Sequence, residues 1–227
     1  MGRIDPIFLM KSSAGILIRQ LESKNLPEVA RLHQKAFRES ALSRLGLEPI
    51  RRYYAWQFTG PHSCYAVGAY DEHDALVGFC FAGIFRGSLT GFLASNKRFL
   101  IRWVLTHPWL IVSPLVIDRI KMAFRLFAGK RAPVPSTYIS KYPHFGILSI
   151  ATDPEKQGMG IGKLIMSDVE REALARGFTR MQLTVHPTNM QAVIFYERCG
   201  WERVNDDAGE WQGRMVKKIL SDDSRAP

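Results

Sequence analysis

Gly158, Gly160 and Gly162 stand on alternate positions between Gln157 and Lys163, inside the stretch ILSIATDPEKQGMGIGKLIM that runs from Ile147 to Met166. Glycines spaced this closely let several backbone N–H groups converge on one anion, because they tolerate positive φ and close approach. Apolar Ile147, Leu148 and Ile150 read as a strand that stops at Asp153-Pro154, and an amphipathic helix is expected to begin at about Ile161 to Lys163. The first N–H groups of such a helix have no intrahelical acceptor, and its dipole favours an anion. Lys163 adds a full positive charge. The chemistry these residues suit is the binding of a phosphate-bearing ligand.

Spacing narrows the ligand. A P-loop needs a serine or threonine after its lysine to reach magnesium, and Leu164 follows Lys163. A dinucleotide fingerprint needs Gly-x-Gly-x-x-Gly early in a βαβ unit, whereas the order here is Gln-Gly-x-Gly-x-Gly, late in the chain. A second stretch, LTVHPTNMQAVIFYERCGW from Leu183 to Trp201, adds a different signal. A β-rich run (Met181, Leu183, Val185) stops at Pro187, Asn189 stands where a helix would be capped, and Gly200 stands where it would end.

Gln157-x-x-Gly160-x-Gly162 after a strand and Asp-Pro resembles the acetyl-CoA pyrophosphate loop of the GNAT acetyltransferase superfamily. Asn189, Ala192, Tyr196 and Gly200, followed by an aromatic residue, resemble that family's second signature. The resemblance covers roughly Ile16 to Leu220. It implies an α/β fold with a mixed, mostly antiparallel central sheet that splays between strands four and five, helices on both faces, and here a helical insertion between strands three and four. It implies acetyl transfer from acetyl-CoA, a co-substrate, directly to a primary amine, with no metal. Gln157, Gly158, Met159, Gly160, Ile161, Gly162 and Lys163 would hold the pyrophosphate. Ile150, Ala151 and Thr152 would pair with the pantetheine amides as an added strand does, and the Ile150 N–H would face the acetyl carbonyl. Asn189 would lie by the pantetheine arm, and Tyr196 would be the general acid. A phenol of ordinary pKa, about 10, is protonated at neutral pH.

No general base stands out. His186, His144 and Ser149 lie near the expected site, with His33 and Glu39 as weaker candidates. Acceptor recognition in the family involves the first two helices, which here carry Arg38, Glu39, Arg44, Arg51, Arg52, Tyr53, Tyr54 and Trp56. Arginines suit phosphate or carboxylate, and flat aromatics suit sugars or bases. The leading acceptor is therefore a small anionic amine such as an amino-sugar nucleotide. A protein amine, a membrane-associated amine and a non-catalytic acyl-CoA sensor are the alternatives.

The elements that must position these residues follow the family order. Ile16 to Glu22 alternates as a strand, Leu26-Pro27 opens a helix, and Pro49 to Phe58 is a second, aromatic-rich helix. Cys64 to Tyr70 and Ala75 to Phe85 form a hairpin, and Trp211 to Leu220 is a closing strand. One domain is expected over residues 16–220, with a basic amphipathic helical insertion at 86–137 and a loose tail at 221–227. At 227 residues the chain can bury a sizeable core.

The insertion concentrates the charge. From Ile84 to Pro133 there are nine bases and one acid, Asp118, so this segment holds +8 of the chain's +10. Phe99 to Ile117 is apolar enough to suggest a membrane span, but it contains Arg102, His107, Pro108 and Pro114 and barely reaches the ~20 residues a span needs. Two amphipathic helices broken near the prolines fit better, the second with Val116, Ile120, Phe124 and Phe127 on one face. Three roles stay open: an inert packed hairpin, a lid over an anionic acceptor, or a surface resting on acidic lipid headgroups. Nucleic acid is not expected, since no binding motif accompanies the charge. Edge strands of this fold often pair between subunits, which leaves a homodimer open.

Cys64, Cys80 and Cys199 have neither metal nor redox spacing, and the short apolar patch Ile7 to Met10 is too brief for a secretory core. The expected location is the cytoplasm, or its periphery at the membrane.

Overall fold

Seven strands line up in the order β1-β2-β3-β4-β5-β7-β6 in the computed structural model, which describes residues 15–112 and 144–219. They are β1 (Leu17–Gln20), β2 (Ser63–Tyr70), β3 (Leu76–Ile84), β4 (Phe145–Thr152), β5 (Arg180–Thr184), β6 (Glu202–Arg203) and β7 (Arg214–Lys218). Every neighbouring pair is antiparallel except β4 and β5. The β2–β3 hairpin turns at Asp71, whose carboxylate accepts the N–H groups of His73 and Ala75 at 3.0 Å. This is the side-chain-to-backbone turn that an aspartate at a hairpin corner favours.

The chain divides into two compact units. The first joins residues 15–22, 63–84 and 144–219; the second joins residues 23–62 and 85–112. The first contains the whole sheet, helix α6 (Ile161–Ala175) and helix α7 (Met190–Arg198). Ile161, Ile165, Val169 and Ala173 recur every fourth residue along α6 and are buried against Val67, Val77, Cys80, Phe145 and Met181 of the sheet. That spacing is one face of a 3.6-residue helix. Gly78 on β3 makes the approach close: a Cβ there would lie 2.7 Å from the end of Ile165. Truncating Ile165 to alanine would cost roughly 2–5 kcal/mol.

Asp168 shares the buried face of α6. It survives there because the Tyr65 hydroxyl donates to it at 2.6 Å and Arg171 pairs with its other oxygen. Burial, followed by the bond to Asp168, pushes the Tyr65 phenol well above its ordinary value. Arg176, farther along the helix, pairs with Glu172 at 2.7 Å and donates to the Ser63 hydroxyl at 3.1 Å.

The second unit contains helices α1 (Leu26–Ala36), α2 (Ala41–Leu45), α3 (Leu47–Thr59), α4 (Ser88–Ser95) and α5 (Lys97–Thr106), then a 3-10 turn at Pro108–Val112. Leu26, Val29, Ala30 and Leu32 of α1 and Ile50 and Tyr54 of α3 are buried. His33 Nδ1 lies 2.8 Å from the Tyr54 hydroxyl, and burial lowers the imidazole to about 4.

Three elements were not expected. Helix α2 is capped by the Ser40 hydroxyl, which accepts the Ser43 N–H at 3.0 Å. Helix α4 contains Gly91, a poor helix former, where a Cβ would meet the Trp56 ring at 2.6 Å. Strand β6 is two exposed residues, too short for any pattern. The closing strand is shorter than expected, because Trp211 turns back and its indole N–H donates to the Arg214 carbonyl at 2.8 Å. The break at Pro108 is present, as the end of α5. The second insertion helix around Val116 to Phe127, the break at Pro114, the patch Ile7 to Met10 and the tail 221–227 lie outside the described residues.

Candidate functional site

Strand β4 is paired along its length on one side and for only two residues on the other. It meets β3 from Gly83↔Gly146 to Gly78↔Thr152, but meets β5 only at Phe145↔Met181 and Gly146↔Gln182. From Ile147 to Thr152, therefore, the β5-side edge of β4 has no strand partner among the described residues. The expected splay between strands four and five is this divergence. A β-bulge accompanies it: Phe81 faces Ser149 and Ala82 faces Ile147, so Leu148 is the extra residue. Bulges bend a strand locally and recur beside functional sites. Ile150, Ala151 and Thr152 all lie on the unpaired edge, with Ala151 buried. An unpaired edge presents main-chain N–H and C=O groups in the spacing an extended ligand can match.

The edge runs straight into the glycine loop. The Asp153 N–H donates to the Val77 carbonyl at 2.8 Å, and the Asp153 carboxylate accepts the Glu155 N–H at 3.0 Å, forming a 3-10 turn over Pro154–Lys156. Lys156 Nζ lies 2.6 Å from Asp71, tying the loop to the β2–β3 corner. That lysine is the main reason the Asp71 carboxyl is held below the usual range. Gly158 and Gly160 have φ of 82° and 79°, the left-handed region that favours glycine. Gly160 is the residue before α6 and has no side chain to cap it. The first bond of the helix runs from the Leu164 N–H to the Gly160 carbonyl at 3.1 Å. The N–H groups of Ile161, Gly162 and Lys163 are thus left without an intrahelical acceptor.

Gly162 serves a different purpose from the other two glycines. It lies inside the helix, and a Cβ on it would stand 3.1 Å from the Phe195 ring of α7. It lets the two helices approach. Gln157, Met159 and Lys163 are exposed around the loop. Gln157 accepts a hydrogen bond from the Gln191 amide at 2.9 Å, which joins the glycine loop to the start of α7. Neither residue's type pointed to this link, since nothing in either stretch marks a partner 34 residues away.

Helix α7 begins at Asn189, as expected. Its side chain accepts the Ala192 N–H at 3.2 Å and caps the helix. Tyr196, two turns on, is buried at 8% exposure among Phe195, Trp201 and the sheet. Its hydroxyl has no hydrogen-bond partner among the described residues. Burial pushes this phenol well above its ordinary value, with Cys80 and Cys199 adding to the effect. All three cysteines are free thiols.

The structure separates the base candidates. His186 is exposed, with Nδ1 2.8 Å from the Thr188 hydroxyl. His144 precedes β4 and so lies about 20 Å along the strand from Ile150. Its imidazole is lowered by burial, then by Arg214 and Arg180. In the second unit Glu39 is paired with Arg44 at 3.0 Å. Several residues expected to meet an acceptor are engaged within that unit. Arg51 and Arg52 share Glu48 at 2.7 and 2.8 Å, Arg52 lies 4.0 Å over the Phe99 ring, and Tyr54 is fully buried. Among the described residues, no group of three His, Cys, Asp or Glu side chains could hold a metal ion.

A split sheet whose open strand leads into a glycine-lined helix N-terminus offers main-chain pairing and then converging N–H groups to an extended, anionic ligand. The model of the Acetyltransferase (GNAT) family matches residues 120–201, which span β4, the glycine loop, α6, β5 and α7. Solved structures share the fold at low identity. The PaiA N-acetyltransferase of Thermoplasma acidophilum, in complex with coenzyme A, is 15% identical, with 89% of this chain and 98% of that chain covered at a TM-score of 0.54. A GNAT family N-acetyltransferase of Escherichia coli in complex with CoA is 12% identical, covering 95% and 87% at 0.53. An N-acetyltransferase of Staphylococcus aureus Mu50 is 11% identical, covering 90% and 99% at 0.52. A search of curated proteins found no match. Over residues 120–201 the chain is thus similar to the GNAT acetyltransferases, a match that supports an acyltransferase with acetyl-CoA as co-substrate.

Proposed function

We propose that this protein moves the acetyl group of acetyl-CoA directly to a primary amine, with the donor laid along β4 and its pyrophosphate on the glycine loop. The observation that carries this reading is the continuity of the unpaired β4 edge with the uncapped N–H groups of α6. An extended arm ending in a pyrophosphate matches both parts at once: main-chain pairing for its amides, then converging N–H groups for its anion. The neighbours solved with coenzyme A support it.

Acetyl-CoA supplies an activated acetyl thioester. Ile150, Ala151 and Thr152 hold the pantetheine, and the Ile150 N–H polarises the acetyl carbonyl. Gln157, Gly158, Met159, Gly160, Ile161, Gly162 and Lys163 hold the pyrophosphate, while Asn189 fixes the start of α7. Tyr196 donates to the departing sulfur. Because burial raises its phenol, a standing transfer of that proton to a thiolate is uphill. As the C–N bond forms and the C–S bond breaks, Tyr196 therefore passes its proton to sulfur only in concert with its own reprotonation, through solvent, by the proton the acylated nitrogen sheds. Net, nitrogen loses one proton and sulfur gains one. The sign for pH follows: a raised phenol stays protonated through the ordinary assay range, so any alkaline loss of turnover below pH ~10 belongs to another group.

The acceptor we favour is a small anionic amine, an amino-sugar nucleotide first. It rests on the segment around the insertion being strongly basic. A membrane-associated amine is the second reading, favoured by the exposed apolar face of α5. Acetyl-CoA-dependent thiol release across amino-sugar nucleotides, phosphorylated amines, polyamines and lysine peptides tests both, with Tyr196→Phe as control. One strong hit lost in the variant supports the enzyme and its substrate class together. Acetyl-CoA binding with silence across the panel would count against a soluble acceptor; turnover unchanged in Tyr196→Phe would remove that residue from the mechanism.

A further inference from the structure

Helix α5 presents apolar side chains to solvent on a strongly cationic background. Ile101, 56% exposed, and Leu105, 72%, lie one turn apart on the helix, and Trp109, 64%, follows in the 3-10 turn. Lys97, Arg98 and Arg102 are exposed on the same side of the helix. Among the described residues none of these three cations is paired with a carboxylate. There is none within reach in sequence either: from Ile84 to Val112 the chain has four bases and no acid.

The opposite side of α5 is already committed to its own unit. The Trp103 indole N–H donates to the Leu45 carbonyl at 2.9 Å, and Phe99 lies beneath the Arg52 guanidinium. Phe99, Trp103, His107 and Trp109 follow one another in ring contact, tilted, stacked and edge-on in turn, with centroids 5.4, 4.1 and 4.9 Å apart. His107 Nδ1, bonded to the Trp103 carbonyl at 2.8 Å, fixes the turn. Trp109 thus packs edge-on against His107 while most of its surface faces solvent. Buried apolar contact alone would explain one side of this helix, not both.

We infer that this face of α5 and the turn after it rest on an anionic lipid bilayer. The apolar stripe enters the headgroup–acyl boundary, the cations meet the phosphates, and Trp109 sits at the interface where amphipathic rings are favoured. The helix lies on the bilayer and does not cross it: α5 has 10 residues, about 15 Å, and no helix among the described residues is long and apolar enough for a span. Charge complementarity selects the occupant. A nucleic acid would use the cations and leave Ile101 and Leu105 in water, and a second copy of the same face would set cation against cation.

Flotation of the full-length protein with vesicles of phosphatidylcholine, with and without phosphatidylglycerol, tests this. Recovery should be at least ten-fold higher on the anionic vesicles and should fall as salt is raised. Arg98→Gln with Arg102→Gln should weaken partition on the order of twenty-fold, and Ile101→Gln with Leu105→Gln by a similar factor at unchanged salt dependence. All four side chains are exposed, and an unchanged circular dichroism melt serves as the folding control. Equal recovery on neutral and anionic vesicles overturns the inference, as do variants that float like the native protein. Salt-dependent binding of duplex nucleic acid that ignores Ile101→Gln and Leu105→Gln, without flotation, would replace the lipid with a polyanion. A dimer dissolved by Leu105→Gln, again without flotation, would make the face an interface between copies.

Discussion

The stretch from β4 to α7 and the stretch from α4 to the Pro108 turn are both unusual in sequence, yet they became legible in different ways. In the first, the proposed function depends on where the backbone goes. Two glycines must take positive φ, a helix must begin without a cap, and a strand must lose its partner. Each requirement restricts residue type at one position, so Gly158, Gly160 and Asn189 stand out from residue type and spacing alone. In the second, everything depends on which side chains face inward. Gly91 gives way to Trp56, Trp103 bonds to Leu45, and Leu105 is left in solvent. Those choices are made by partners far away in sequence, and composition alone reported only charge and apolarity.

The largest effect that would undo this contrast is at Gly160. Gly160→Val forces a β-branched residue to φ 79° and should weaken acetyl-CoA binding at least a hundred-fold by titration calorimetry. Native affinity in the variant would mean the loop is a turn and nothing more. Tyr196→Phe should follow, lowering kcat about a hundred-fold with little change in acetyl-CoA affinity. A matching loss of affinity would reassign Tyr196 to packing.

The second unit offers its own test through His33. Its imidazole is held at about 4 against an ordinary 6.5, so the unfolded chain binds the extra proton first as pH falls. Stability should therefore be full above pH 6.5 and decline by about 3 kcal/mol by pH 4. His33→Gln should flatten that decline in urea melts; an unchanged slope would locate the acid sensitivity elsewhere. Tyr65→Phe removes the 2.6 Å bond to buried Asp168 and should cost about 1.5–3 kcal/mol, read as a lower melting temperature with kcat preserved. A preserved melting temperature would mean Arg171 alone satisfies the carboxylate. Gln191→Ala should be mildest, raising the acetyl-CoA Kd a few-fold by freeing Gln157; no change would show the link to be incidental.

Much of the sheet was legible because alternation and punctuation agree: Asp71 to Asp74 marks the hairpin, Pro187 and Asn189 the passage into α7, and Gly200 its end. The splay between β4 and β5 came with the family resemblance, whereas the bulge at Leu148 that accompanies it had no signal. Helix α2 had one, Ser40, in a segment too short to show periodicity. Within the site, the loop and Asn189 were readable as backbone devices. The burial that raises Tyr196 was not, since it depends on Trp201 and the sheet beneath. The arginines of α3 illustrate the converse: their type suits an anionic acceptor, while in the fold both also pair with Glu48, three and four residues before them.

For the proposed transfer to occur, the donor must lie along the open edge of β4 and end on the glycine loop. Amide hydrogen exchange with and without acetyl-CoA tests that placement most directly. Slowed exchange should be concentrated in residues 147–163, with weaker protection around residues 189–196 and none in α5. Protection absent from residues 147–163 at saturating acetyl-CoA, or centred on another part of the chain, would contradict it.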